Sequence, residues 1–151
     1  MLNEDYKEML QILLEEQVDF MIVGAYALGA HGFPRATGDM DIWVKPNEKN
    51  SGKLHKALAR FGAPIEQIEV DDFSVEGIIF QIGVIPRRID IITKIDGVAY
   101  GEADEDKITI EIEGLKIPII SLENLIKNKM STGRKKDEVD VINLRKKLKN
   151  P

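Results

Sequence analysis

The stretch VGAYALGAHGFPRATGDMDIWV, residues 23–44, holds a glycine turn, an Arg-x-Thr and two aspartates one residue apart. It overlaps an apolar run, VDFMIVG, which predicts a short buried strand that ends at Gly24. The alanine-rich segment after it predicts a short helix, and DMDIWVK alternates with the period of a strand. We therefore expect a strand–helix–strand unit whose second strand presents Asp39, Asp41 and Trp43 on one face.

The paired aspartates favour a cation site. At positions i and i+2 of a strand, Asp39 and Asp41 project from the same face, where ionised carboxylates raise each other's pKa. A divalent cation removes that penalty, and Mg²⁺ binds one or two carboxylates together with substrate phosphates. The alternative is an exposed strand end without a ligand. A second Asp-x-Asp, Asp104 and Asp106, is interpreted as a chance pair in an acidic loop.

Residues on either side of the short helix are candidates for binding phosphate. Where a strand ends and a helix begins, free backbone N–H groups point at an anion, and Gly24 and Ala25 stand at that junction. Gly24 has no Cβ, so a phosphate could approach its backbone closely. Arg35 and Thr37 lie just before the aspartates and could bind further phosphate oxygens.

A third acid, Asp90, lies in RRIDIITKI, residues 87–95, which predicts a strand. On that strand Asp90 shares a face with Arg88 and Ile92. It reaches the same cleft if this strand lies beside the strand of the paired aspartates. Three carboxylates can hold two metal ions, which stabilise the attacking and leaving oxygens of a phosphoryl displacement. This interpretation requires the three acids to converge without a salt bridge already filling the gap between them.

The rest of the chain predicts a mixed β-sheet flanked by helices, an α+β fold in a single domain, residues 1–151. Periodic apolar positions predict helices over residues 3–16 and 47–61, with Gly62 just past the end of the second. A further helix is capped by Ser121 and interrupted at residues 131–134, and a last one runs from about residue 135 with Val141, Leu144 and Leu148 inward. The C-terminal helices therefore begin near residue 121. Further strands are predicted over residues 77–85 and 87–95, joined at Pro86, and in a hairpin over residues 106–120 that turns at Glu113-Gly114.

Composition and charge exclude some kinds of site and indicate where the protein is located and what it could bind. The 151 residues carry a net charge of −5 and no cysteine, which excludes disulfides and thiolate metal sites. There is no bilayer-length apolar run and no basic start typical of a signal peptide, so we expect a cytoplasmic protein and no membrane partner. Residues 127–149 hold nine Lys and Arg against three Asp and Glu. This basic segment could hold a phosphate-rich ligand, and the alternative is a solvated helix face.

Residues 23–44 resemble the signature of the DNA-polymerase-β-like nucleotidyltransferases: a hydrophobic residue, glycine, a second glycine or serine, a spacer and Asp-x-Asp. Within that superfamily, the run is similar to that of a small prokaryotic group related to the AbiEii-type toxins, at Gly24, His31, Gly32, Arg35, Thr37, Asp39 and Asp41. The segment LENLIKNKMSTGRKKDEVDVINL, residues 122–144, is similar to that group's downstream helices. Ala25 departs from the signature: it keeps the backbone donor but lacks the hydroxyl of a serine.

The resemblance implies a polymerase-β-like fold and transfer of a nucleoside monophosphate from a nucleoside triphosphate, such as ATP, to an acceptor hydroxyl of RNA (tRNA), protein or a small molecule. In that scheme two Mg²⁺ ions, or Mn²⁺, are bound by Asp39, Asp41 and Asp90. The implied phosphate-binding groups are the amides of Gly24 and Ala25 and the side chains of Arg35 and Thr37. Candidates for binding the triphosphate or an RNA backbone are Lys127, Lys129 and Lys135. The resemblance also implies the toxin-like half of a toxin–antitoxin pair, with an antitoxin as partner.

Two other functions are compatible with these residues. The first is a non-catalytic binding module that keeps the fold and acts through a partner protein. The second is a nucleic-acid-binding protein that uses its basic C-terminal helices, which predicts a strongly salt-dependent affinity. Single residues also have structural alternatives: His31 is expected to pack rather than to act as a ligand, and Trp43 could stack on a base or shield the sheet.

Overall fold

The computed structural model describes residues 2–151, in which six α-helices surround a sheet of six strands. The helices are α1 (Glu4–Glu15), α2 (Gly24–Ala30), α3 (Glu48–Phe61), α4 (Tyr100–Asp106), α5 (Leu122–Ser131) and α6 (Lys135–Lys149). The strands are β1 (Phe20–Val23), β2 (Asp39–Val44), β3 (Ile79–Ile82), β4 (Arg88–Ile92), β5 (Ile108–Ile112) and β6 (Leu115–Ile119). Two short 3-10 turns lie between α3 and β3, at Ile65–Gln67 and Asp72–Ser74.

The sheet is mixed, with the strand order β3-β4-β2-β1-β6-β5. The pairs β1–β2, β3–β4 and β5–β6 are antiparallel, whereas β1–β6 and β2–β4 are parallel. The two central strands, β1 and β2, belong to the strand–helix–strand unit that the sequence predicted, and α2 connects them. The predicted α+β fold with a mixed sheet flanked by helices is therefore confirmed.

The ends of the helices follow from local sequence. Side chains at three N-caps, Asn3, Asn47 and Ser121, accept hydrogen bonds from backbone N–H groups in the first turn of α1, α3 and α5. Gly62 ends α3 in the left-handed region, at a φ of 90°. The turn between β5 and β6 falls at Glu113 and Gly114, as predicted, and both residues have positive φ.

Both faces of β2 are partly buried. Met40, Ile42 and Val44 are buried on one face, as the alternating pattern indicates. On the other face Trp43 is only 1% exposed and packs edge-to-face against Tyr100, with 5.0 Å between the ring centroids. Trp43 therefore belongs to the core, and of the two alternatives for this residue the shielding role is the one observed.

The segment with the second Asp-x-Asp pair forms a helix, so the prediction of an acidic loop there was wrong. Asp104 and Asp106 lie on α4, which buries Tyr100 and Ala103. Two buried positions in a seven-residue helix are too few for a detectable apolar period, and this explains the error.

The C-terminal helices α5 and α6 pack on each other, separated by the predicted break. Val141 and Leu144 are buried as expected, but Leu148 is 43% exposed, so its predicted inward position was wrong. In its place α6 buries two acids, Asp137 and Asp140. Among residues 2–151, no helix is both long enough and apolar enough to cross a bilayer.

Candidate active site

Three carboxylates converge where β2 and β4 run side by side. The two strands are parallel neighbours, with Asp41 opposite Asp90 and Asp39 opposite Arg88. Each of Asp39, Asp41 and Asp90 offers a carboxylate oxygen within 4.8 Å of the others. The strand adjacency on which the sequence interpretation of Asp90 depended is therefore confirmed.

The turn from β1 into α2 closes over this cluster. Gly24 has a φ of 69°, and a Cβ built on it would lie 2.2 Å from Oδ2 of Asp41. Glycine is required here because its missing side chain leaves room for the Asp41 carboxylate. The space left by the missing Cβ of Gly24 is thus occupied by the Asp41 carboxylate, and the use of the backbone N–H groups of Gly24 and Ala25 for phosphate stays a prediction.

Replacing Gly24 by alanine is expected to lower the free energy of unfolding more than the same change at Gly62. Both glycines have positive φ, which costs alanine about 1 kcal/mol. A Cβ at Gly62 meets nothing within 4 Å, whereas at Gly24 it overlaps Asp41 and adds at least about 1 kcal/mol of strain. Urea unfolding of both variants measures the difference, and equal losses would contradict the close contact with Asp41.

The loop between α2 and β2 contacts the cluster through Thr37. Its hydroxyl donates a hydrogen bond of 3.0 Å to Oδ1 of Asp39. Arg35, two residues earlier, forms an ion pair with the buried Asp140 of α6. Arg35 therefore ties this loop to the C-terminal helix, and Thr37 orients one of the three acids.

Arg88 lies within the acid cluster. Its Nε donates to Oδ1 of Asp90 at 2.8 Å, and its Nη2 donates to Oδ2 of Asp90 and to Oδ2 of Asp39, both at 3.1 Å. A salt bridge thus joins two of the three acids, so the requirement of an unfilled gap is not met for Asp39 and Asp90. The prediction of three acids open to a metal ion was therefore wrong as stated, and a metal ion could reach Asp39 and Asp90 only by displacing Arg88. Among residues 2–151, no Lys, Arg or His forms an ion pair with Asp41.

The cluster keeps an excess of negative charge despite Arg88. Burial raises the pKa of Asp41 to about 7, and the charges of Asp39 and Asp90 add to that effect while Arg88 opposes it. Burial also opposes ionisation of Asp39, but hydrogen bonds from Thr37 and Arg88 outweigh it and lower the pKa of that carboxyl. One guanidinium does not balance the charge of the acids, so the cluster keeps an excess of negative charge whenever Asp41 is ionised.

The donor set fits a hard divalent cation. Three carboxylates from two adjacent strands supply the oxygen ligands that Mg²⁺ and Mn²⁺ prefer, and the pKa of Asp41 is raised by burial and by its two acidic neighbours. Arg88 is the competing group, since it already binds oxygens of Asp39 and Asp90.

The candidate lysines of the C-terminal helices lie outside the acid cluster, and two of them form ion pairs with other acids. Lys129 is 9% exposed at its side chain and pairs with Asp137 at 3.1 Å and with Asp140 at 3.0 Å. Lys127 pairs with Glu102 of α4, and Lys135 is exposed at the start of α6. Phosphate binding by these lysines remains a prediction, and the buried charge of Lys129 is already satisfied by two acids.

Sequence reasoning missed two groups near the cluster. Arg88 was recognised as sharing a face with Asp90, but its bridge to Asp39 was not foreseen. Asp140 was not singled out, although its spacing of three from Asp137 on a helix was a signal that both acids share one buried face. His31 is buried, with Nε2 2.8 Å from the carbonyl oxygen of Ile120, which agrees with the expected packing role.

A cavity of about 410 Å³ lies between α1, α2 and the strands β1 and β6. Its lining is mostly aliphatic and includes Ile22 and Met40, whose side chains face away from Asp41 because strand residues alternate. Arg35 and Thr37 also line it. The side chains of Ile22 and Met40 thus place the cavity across the sheet from the carboxylates, while its rim includes Ala25 of the β1–α2 turn and the loop that orients Asp39.

The fold is shared with solved structures of nucleotidyltransferases. A proposed nucleotidyltransferase from Thermotoga maritima, TM1012, superposes with a TM-score of 0.63 at 18% identity, over 100% of this chain and 97% of that one. The antibiotic-resistance factor ANT(2'')-Ia gives a TM-score of 0.64 at 17% identity, over 95% of this chain and 82% of that one. The lincosamide antibiotic adenylyltransferase LnuA, solved with lincomycin bound, gives 0.59 at 16% identity, over 96% and 97%.

The likeness is one of structure, because no family model matches this sequence and no curated protein is similar to it in sequence. The superpositions extend over nearly the whole of this chain, including the mixed sheet and its flanking helices. The chain therefore has the nucleotidyltransferase fold.

Proposed function

We propose that this protein is a divalent-metal-dependent nucleotidyltransferase, which moves a nucleoside monophosphate from a nucleoside triphosphate to an acceptor hydroxyl. The observation that carries the proposal is the convergence of Asp39, Asp41 and Asp90 beside the β1–α2 turn. Solved adenylyltransferases with the same fold support it. Phosphoryl transfer of this kind requires positioning and charge neutralisation more than covalent catalysis, and a cluster of fixed acids suits that task.

In this mechanism Asp39, Asp41 and Asp90 would hold two Mg²⁺ ions, or Mn²⁺ in their place. The metal, when bound, neutralises phosphate charge and stabilises the attacking and leaving oxygens. Asp90 accepts the proton of the acceptor hydroxyl while that oxygen forms a bond to the α-phosphorus. The bond from the α-phosphorus to the bridging oxygen of the β-phosphate breaks, and pyrophosphate leaves with that electron pair.

The phosphates are held by groups next to the acids. The proposed donors are the backbone N–H groups of Gly24 and Ala25 and the side chains of Arg35 and Thr37. Arg35 would exchange Asp140 for a phosphate oxygen, and Thr37 is in place beside Asp39. Lys127 and Lys135 are both exposed, but Lys127 pairs with Glu102, whereas Lys135 forms no ion pair with any of residues 2–151. Lys135 is therefore the candidate that could reach a triphosphate or an RNA backbone.

The acceptor and the biological setting belong to the same proposal. LnuA is a lincosamide antibiotic adenylyltransferase, and ANT(2'')-Ia is an antibiotic-resistance factor. One structure of ANT(2'')-Ia contains adenylyl-2''-tobramycin. For this chain the proposed acceptor is a hydroxyl of RNA, of a protein or of a small molecule. Residues 23–44 and 122–144 support a relationship to the AbiEii-type toxins, and hence an antitoxin partner.

A second candidate is favoured by one observation, the bridge from Arg88 to Asp39 and Asp90. An acid cluster partly neutralised from within would also fit a non-catalytic module that keeps the fold and acts through a partner protein.

Binding and labelling experiments separate the two candidates. We expect ATP with Mg²⁺ to raise the melting temperature, and EDTA to remove that increase. We also expect label from α-labelled nucleoside triphosphates, but not from γ-labelled ones, to be transferred to total RNA, cell protein or small hydroxyl compounds. Failure to bind any of the four nucleoside triphosphates with Mg²⁺ or Mn²⁺ would contradict catalysis and favour the module.

A further inference from the structure

Arg88 leaves few free ligand atoms in two of the three acids. Both carboxylate oxygens of Asp90 and Oδ2 of Asp39 accept hydrogen bonds from its guanidinium. The remaining oxygen of Asp39, Oδ1, accepts a hydrogen bond from Thr37. A cation that bridged Asp39 and Asp90 would therefore have to take oxygens that Arg88 now occupies.

The backbone of Arg88 is anchored by hydrogen bonds that do not involve its side chain. Its N–H donates to the carbonyl of Gly38 at 3.3 Å, and its carbonyl accepts from the hydroxyl of Tyr6 at 3.1 Å. The side chain is 25% exposed and lies at the first residue of β4, where the strand opens to solvent. A long arginine side chain on a fixed backbone can swing out of the cluster without any change in the sheet.

We propose that Arg88 is an internal counter-ion that a divalent cation must displace from Asp39 and Asp90, and that it then binds the phosphates of the incoming nucleotide. This inference rests on the proposed function. Without metal, Arg88 holds the acids together and prevents their mutual repulsion. A displaced guanidinium needs a new anionic partner, and phosphate oxygens match its planar donors. Metal and nucleotide therefore bind cooperatively, because each supplies a partner that the exchange requires.

The consequence is a site that resists free metal ions. Arg88 lowers the affinity for a cation that arrives alone, since three hydrogen bonds to carboxylates must first break. A metal ion that arrives with a nucleoside triphosphate meets a smaller barrier, because the displaced side chain regains its hydrogen bonds at the phosphates.

The test compares Arg88→Gln with Arg87→Gln. Arg87 is the neighbouring arginine, pairs with the exposed Asp5 and loses the same charge on substitution. We titrate Mn²⁺, alone and with a non-hydrolysable ATP analogue, and measure the melting temperature in EDTA. Arg88→Gln is expected to bind Mn²⁺ alone about tenfold or more tightly than wild type, to show less coupling with the analogue and to melt lower in EDTA. Arg87→Gln is expected to match wild type in all three.

Arg88→Lys replaces Arg88→Gln in the Mn²⁺ titration if the glutamine variant does not fold. Lysine keeps the positive charge but lacks the planar guanidinium that reaches two carboxylates. We therefore expect this variant to bind Mn²⁺ more tightly than wild type and less tightly than Arg88→Gln. Unchanged or weaker Mn²⁺ binding by the Arg88 variants, with normal binding by wild type, would refute the counter-ion role and leave the proposed function intact. Absence of Mn²⁺ binding in wild type and in all variants would refute both.

Discussion

Asp41→Asn is expected to remove the stabilisation by Mg²⁺ with ATP and to lower the rate of nucleotidyl transfer about 1,000-fold. Asp41 lies opposite Asp90 in the register of β2 and β4, and its carboxylate fills the space over Gly24. An amide of the same shape keeps this packing but is a poor ligand for a hard cation. The measurements are the melting temperature with and without metal and ATP, and label transfer from α-labelled ATP.

The same substitution is expected to leave the metal-free protein at least as stable as wild type. Because burial and the neighbouring acids raise the pKa of Asp41 to about 7, its ionised form opposes folding. This unfavourable contribution is absent below the pKa of an unfolded aspartate and grows as the pH rises to about 7, and the neutral amide of Asp41→Asn would relieve it. Asp106→Asn, at the exposed last residue of α4, is the control that removes one acid away from the cluster. Metal-dependent transfer that survives in Asp41→Asn would contradict the assigned site.

Asp137→Asn is expected to lower the free energy of unfolding by about 3 kcal/mol at neutral pH. Asp137 is fully buried, pairs with Lys129 and accepts hydrogen bonds from Thr132 and Arg134. With a neutral amide in place of Asp137, the buried Lys129 keeps only one acidic partner, Asp140. Since Asp140 also binds Arg35, the loss extends to the loop that orients Asp39.

This buried acid also predicts a pH dependence. Burial opposes ionisation of Asp137, but hydrogen bonds from its neighbours outweigh it and lower its pKa to about 2. Because the pKa in the folded state lies below that of an unfolded aspartate, the stabilisation is complete above about pH 4 and is lost as the pH falls towards 2. Its size is about 2 kcal/mol, and Asp137→Asn should lack this part of the acid dependence.

Urea unfolding between pH 2 and 7 measures both effects, with Glu138→Gln as the matched control. Glu138 is the neighbouring acid in the first turn of α6 and is exposed. The control is expected to stay within about 0.5 kcal/mol of wild type at neutral pH. A loss of stability in Asp137→Asn no larger than that of the control would show that the buried ion pairs contribute nothing to the fold.

Much of the site could be predicted from residues close in sequence. The spacing of Asp39 and Asp41 places two carboxylates on one face of a strand wherever that strand lies, because strand side chains alternate. The N-caps at Asn3 and Ser121 and the turn at Glu113 follow from short-range hydrogen bonds and backbone preferences. Asp90 was assigned by strand pattern and resemblance, and it required the strand pairing to be known.

Charged partners were not predictable in this way. Arg88 binds Asp39, which is 49 positions away, and Arg35 binds Asp140, which is 105 positions away. The sequence offers 21 basic and 26 acidic residues, and no local rule selects which of them meet. The burial of Trp43 could not be predicted either. The alternation of β2 predicts the face on which Trp43 lies, but its burial depends on α4, which begins at Tyr100.

Local sequence alone determined the strand–helix–strand unit, the shared face of the paired aspartates and most helix ends, because each depends on backbone periodicity and contacts within a few residues. The tertiary structure alone decided that Asp90 joins Asp39 and Asp41, that Gly24 makes room for Asp41, and that Arg88 neutralises part of the cluster. These contacts join strands and helices distant in the chain, so they exist only after long-range packing has placed their backbones.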